Sequence, residues 1–142
     1  MNRRLLLKRP LAIETNKLVK AYDRDGRPIE PWEEVFYLRP GDVIELTPSR
    51  AEQFLSAYPE HFDTVGVEIG TFLEQCCQEA KGETTAFKAL YGAYREWCSN
   101  RGQTPVSEKA FGSTLGKLGY RRVRWGGGIR YQGLRLQEYE EK

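Results

Sequence analysis

The sequence predicts an α+β chain: a small β-rich module with one helix, followed by three short helices and a C-terminal β-hairpin. Three observations carry that reading. Short β-forming runs (LLL, KLVKAY, VFYL, DVIEL) broken by turn residues fill Leu5 to Leu46. Apolar residues then recur at three- and four-residue steps from Ile69 to Leu118. Finally, Tyr120 to Leu134, YRRVRWGGGIRYQGL, sets β-formers and arginines on both sides of three glycines.

The N-terminal strands are delimited by DRDG, Pro28, Pro31 and the RPGD turn at Arg39 to Asp42. Thr47 is placed to cap a helix with Pro48 at its first position, and Ala51, Phe54, Leu55 and Tyr58 follow at helical spacing until Pro59. YPEHFDTVGVEI reads as a connector. A boundary there gives residues 1–62 as the β-rich module and 63–142 as the helical and hairpin domain.

In the second part, Ile69, Phe72, Leu73, Cys76, Cys77 and Ala80 share one helical face, and Lys81-Gly82 ends that helix. A second helix opens at Thr84 or Thr85, carries Phe87, Leu90, Tyr91, Tyr94, Trp97 and Cys98 as one stripe, and stops at Asn100-Arg101-Gly102. Ser107 caps a third, with Phe111, Leu115 and Leu118 inward and Gly119 as its stop. Gly126, Gly127 and Gly128 are expected to supply positive backbone dihedrals for the hairpin, and Gly133 an irregularity in the return strand. Three short helices followed by a hairpin is the order of a winged helix, with the hairpin as wing.

Charge sharpens this picture. From Arg101 to Arg135 eight basic residues face the single acid Glu108, a net of +7 in a chain whose total is +2, so the remainder carries −5. That polarity suits a face presented to phosphates. With its apolar side buried, the third helix turns Lys109, Gly112, Ser113, Gly116 and Lys117 to solvent. The two glycines admit either close approach of nucleic acid or close packing of a neighbouring helix. In the hairpin, Arg122 and Arg124 share one face of the first strand, with Arg121, Val123 and Trp125 on the other. Trp125 is either a stacking or wedge residue at the tip or a cap on the core. The DNA-contacting set expected from these readings is Arg101, Lys109, Ser113, Lys117, Arg121, Arg122, Arg124, Trp125 and Arg130.

Catalysis and metal binding find little support. Three cysteines are an odd set, Cys76 and Cys77 are adjacent, and the lone histidine, His61, stands apart from them, so neither a disulfide framework nor a zinc site is expected. Glu33-Glu34 point to different sides, and Asp23-Arg-Asp25-Gly26 is a hairpin turn rather than a calcium loop. GSTLGKL at Gly112 has three residues between its glycines and leucine after the lysine, so it is no Walker loop. The expectation is a non-enzymatic protein without metal or cofactor. With 30% charged residues and no signal-like N-terminal segment it is assigned to the cytoplasm, without membrane contact.

FLEQCCQEA, ALYGAYREWCSNRGQTPVSEKAFGSTLGKLGY and RRVRWGGGIRYQGLRL, in this order, resemble the C-terminal winged-helix domain of phage and plasmid primase–helicases, the poxvirus-primase-like group. The likeness covers roughly residues 69 to 136; its most specific parts are LYGAYREWC, the S-x-x-AFG-x-x-L helix ending in LGY, and the arginine-rich wing. It implies DNA contacts from Lys109, Ser113, Lys117 and the wing arginines, and a phage or mobile-element origin. Neither the primase carboxylates nor a helicase loop accompanies it here. The expected role is transcriptional regulation or replication control through double-stranded DNA, the N-terminal module mediating dimerisation or recruitment of a replication protein. The alternative is a phage protein that binds host RNA polymerase.

Overall fold

A computed structural model describes residues 1–137. The N-terminal strands are β1 (Arg3–Leu6), β2 (Leu11–Glu14), β3 (Lys20–Tyr22), β4 (Val35–Leu38) and β5 (Val43–Leu46). They form an antiparallel sheet in the order β1-β5-β3 and a two-stranded sheet β2-β4. All four residues of β5 are buried, which is why VIEL reads as a continuous run. The RPGD turn works as its sequence suggests: the Arg39 amide donates to the Asp42 carboxylate at 2.7 Å, and Gly41 takes a φ of +96°. DRDG is a hairpin turn in which Asp23 Oδ1 accepts from the Asp25 and Arg27 amides. Strand β2 was not expected, because LAIE lies between Pro10 and a short 3-10 turn and shows only four residues of alternation.

Helix α1 (Pro48–Ala57) begins at Thr47-Pro48 as expected, but the Thr47 side chain makes no capping hydrogen bond. Helix α2 (Thr64–Cys76) starts inside the supposed connector, where the Asp63 side chain accepts from the Gly66 amide at 2.8 Å. Two glycines one turn apart then let strand β1 lie directly on this helix. A Cβ at Gly70 would fall 2.6 Å from the Arg4 carbonyl oxygen, and one at Gly66 would fall 3.2 Å from Leu6 Cβ. Leu6 and Val43 accordingly join the buried cluster of Ile69, Phe72, Leu73 and Leu90.

The main correction concerns residues 77–86. The helix does not run on to Ala80. It ends at Cys76, and Cys77–Ala86 form strand β6. Cys77 and Ala80 fit a helical face by spacing, but β8 (Gly128–Leu136) offers backbone partners along Cys77 to Ala80 and again along Thr84 to Ala86. Tertiary pairing outweighs local period here. The register slips between these two stretches, with Gly82 at φ +84° and Gly133 at φ +81°, so the irregularity expected at Gly133 is present. The next helix, α3 (Phe87–Asn100), therefore opens two residues later than Thr85. Helix α4 (Glu108–Lys117) follows, then β7 (Arg122–Trp125), completing a sheet in the order β6-β8-β7. Of the three turn glycines only Gly128 has a positive φ; Gly126 and Gly127 close a two-residue turn between the paired Trp125 and Gly128.

The core of this part is aromatic. Phe111 stacks on Tyr94 at 4.7 Å between ring centroids and meets Phe72 edge-on at 6.2 Å. Cys77 and Cys98 are fully buried, and burial pushes the Cys77 thiol up to about 12. Among the described residues no helix is long and apolar enough to cross a membrane.

Arg4 joins the two parts. Its guanidinium lies between the rings of Tyr22 (4.8 Å) and Tyr120 (4.5 Å), donates to the Leu118 carbonyl at 2.9 Å and pairs with Glu45 at 3.3 Å. Replacing Arg4 by Ala leaves a mostly buried carboxylate without its partner. A loss of about 2–4 kcal/mol in urea unfolding is expected, and a change below 1 kcal/mol would show that Arg4 is not the tie.

Candidate nucleic-acid interface

Helix α4 is built as its sequence suggests. Ser107 Oγ accepts from the Ala110 amide at 3.2 Å, and Phe111, Thr114 and Leu115 are buried. Lys109, Ser113, Gly116 and Lys117 are exposed on the opposite side. No large apolar group interrupts that face.

The hairpin is attached to this helix through one tyrosine. Tyr131 in β8 is buried, its hydroxyl lies 3.4 Å from the Gly112 carbonyl oxygen, and its ring packs against Phe87. A Cβ at Gly112 would make ordinary van der Waals contact with Phe87 at 3.4 Å and the Tyr131 hydroxyl at 3.5 Å, so the helix meets the hairpin at this glycine without requiring it for space. Arg122 is the cross-strand partner of Tyr131. Burial raises the Tyr131 pKa while the charge of Arg122, on the same face of the hairpin by that register, opposes the rise. The lysine-bearing helix and the root of the arginine hairpin thus adjoin at Gly112, Tyr131 and Arg122.

The other expected residues are distributed more widely. Arg124 lines a groove between the hairpin turn and the start of α3. Arg130 lines the same groove and is held on β6 by bonds to Thr84 Oγ1 at 2.7 Å and the Thr84 carbonyl at 3.0 Å. Arg121 lines a different cleft of mixed charge, with Arg4, Lys20 and Lys81 and with Glu45, Glu79 and Glu83. Arg101 stacks on Trp97 at 4.4 Å. It follows the last residue of α3, about 20 Å along the axis from that groove, so the structure does not bring it to the hairpin. The side chain of Trp125 lies outside the described residues. Among the described residues, none of Lys109, Lys117, Arg121, Arg122 and Arg124 makes an ion pair with a carboxylate; the pairs formed use Arg3, Arg4, Arg9 and Arg135.

Sequence reasoning missed Lys88. It is exposed and lines the groove with Arg124 and Arg130. Its proximity follows from the pairing of β6 with β8, which a helical reading of residues 77–80 conceals. No cluster of three or more His, Cys, Asp or Glu able to hold a metal occurs among the described residues.

Residues 68–130 match the model of the Poxvirus D5 protein-like family. The matched stretch runs from within α2 to the third residue of β8, so it contains α3, α4 and the hairpin turn and leaves the N-terminal sheets outside. It overlaps most of the segment whose motifs resemble the poxvirus-primase-like group. No curated protein and no solved structure matches the chain.

Gly116 differs from Gly112 in having nothing within 4 Å of an added Cβ. Gly116→Ala should therefore raise unfolding free energy by about 0.5–1 kcal/mol, the helix-propensity difference. Destabilisation of similar size would mean that the α4 surface is more crowded than its geometry indicates.

Proposed function

We propose that α2 to β8 form a winged-helix domain that binds double-stranded DNA, with α4 in the major groove and the β7–β8 hairpin as the wing on the adjoining backbone. The element order helix, strand, helix, helix, strand, strand supports this reading. The observation that carries it is the meeting of α4 with the hairpin root at Tyr131 and Gly112. It sets Lys109, Ser113, Lys117 and Arg122 on adjoining elements, and among the described residues none of these three cations pairs with a carboxylate. Lysines and a hydroxyl on a short exposed helix face can meet phosphates and base edges, and arginine forks match phosphate oxygens. The similarity to the Poxvirus D5 protein-like family supports a viral or mobile-element source and an accessory role in replication or transcription. In this reading the protein is not itself an enzyme and works in the cytoplasm of a host, and residues 1–62, packed against α2 through β1, serve dimerisation or recruitment of a replication protein.

A second reading has its own support. Trp32 and Tyr37 are 68% and 63% exposed, and Trp32 is held opposite Val35 by a two-residue turn in which Glu33 and Glu34 take φ of 48° and 66°. Two non-glycine residues in the left-handed region are a local cost, and an exposed tryptophan so presented suits docking to a protein such as host RNA polymerase. Capture from host extract treated with nuclease separates the readings. Polymerase recovered with the natural chain and lost with Trp32→Ala would favour protein targeting.

For DNA, the decisive measurement is affinity for a labelled duplex against salt. Replacing Arg122 and Arg124 together by Ala should flatten the slope of log affinity on log salt by about one to two units. An unchanged slope would remove the hairpin from the binding surface.

A further inference from the structure

The groove between the hairpin turn and α3 has a composition that duplex phosphates alone do not require. It is open, encloses about 720 Å³, and is lined by Lys88, Arg124 and Arg130 together with Phe87, Ile129 and the turn glycines. No carboxylate appears among its described lining residues. Three cations and two apolar side chains along one groove suit a ligand with an anionic group and a flat uncharged part. The volume falls within the range of small-ligand sites.

The lining is also ordered in advance. Phe87 stacks on Tyr91 with an interplanar angle of 13° and packs against Phe111 and Tyr131, so its ring is held on three sides. Arg130 is fixed through Nε and one terminal nitrogen to Thr84, leaving its other terminal nitrogen for an outside acceptor. Groups already immobilised lose little entropy on binding. At the mouth, Gly126 and Gly127 carry no side chain, and a Cβ at either would meet nothing within 4 Å.

We propose that this groove seats one unpaired nucleotide of a DNA strand, its base against Phe87 and Ile129 and its phosphate among Lys88, Arg124 and Arg130. In a stacked duplex the base faces are covered, so the apolar side chains gain contact only where a nucleotide leaves the stack, at a fork, a nick or an end. The inference rests on the DNA-binding reading above and extends it from duplex to the junction of duplex and single strand.

The test uses the full chain and three labelled probes: a blunt duplex, the same duplex with a short thymidine tail, and the same duplex with a tail of abasic sites. The thymidine tail should bind about fivefold or more tighter than the blunt duplex, since one stacked base contributes that much. The abasic tail should lose most of the gain. Lys88→Ala and Ile129→Ala, with their unfolding midpoints checked, should each bring the tailed-to-blunt affinity ratio toward one. Equal affinity for blunt and thymidine-tailed duplex, or for thymidine and abasic tails, with duplex binding intact, would overturn the nucleotide site and leave the duplex reading standing. Failure to bind any probe would overturn both.

Discussion

The position of the cationic surface depends on where α4 ends, and that end is held by Arg4. The guanidinium accepts nothing and has five donors, so it can serve a carbonyl, a carboxylate and two ring faces at once. Here it takes the Leu118 carbonyl at the close of α4, Glu45 from the central strand of the first sheet, and the rings of Tyr22 and Tyr120. Gly119, at φ +92°, turns the chain beside it; a Cβ there would sit 2.9 Å from the Arg4 terminal nitrogen. Tyr120, one ring of the sandwich, immediately precedes Arg121 and Arg122. The first cations of the hairpin are therefore placed by a residue from the other end of the chain.

Arg3 makes the companion contact. Buried, it pairs with Glu52 of α1 at 2.6 Å and Glu74 of α2 at 3.2 Å. Together with Gly66 and Gly70, which bring α2 against the backbone of β1, it makes the first strand a shared wall. Burying a guanidinium costs desolvation that its partners must offset, so such a residue specifies an arrangement more than it stabilises one.

How much of this could be read from the sequence depends on the range of the interaction. Local signals were legible: Thr47-Pro48 and Ser107 as helix starts, RPGD and DRDG as turns, Gly133 as an irregularity, and the inward face of α4. Strand β6 was not, because Cys76, Cys77 and Ala80 satisfy a helical period and only pairing with β8, about fifty residues away, decides otherwise. The start of α2 is hidden because Asp63, its cap, stands within a stretch whose Pro59 and His61 to Thr64 read as loop. In the site, the exposed lysines and serine of α4 follow from periodicity, whereas Lys88 joins Arg124 and Arg130 through β6. Nothing local marks Arg101 as remote from them; only the length of α3 separates the two ends.

The same residue type serves two ends in this chain, and the neighbouring carboxylates decide which. Arg3 and Arg4 lie opposite Glu52, Glu74 and Glu45, and their charge is met largely inside the molecule, whereas Arg9 and Arg135 pair with Glu60 and Glu83 at the exposed surface. Residues 101–135 hold one acid, Glu108, placed in the first turn of α4, where it complements the helix dipole rather than a basic side chain. A net charge of +2 conceals this division, because the cations that matter to a polyanion are those without an internal partner. Arg130 shows an intermediate solution: neutral Thr84 orients it without cancelling its charge. Orientation by a neutral acceptor fixes the guanidinium while leaving its charge uncancelled, which an ion pair with a carboxylate would not do.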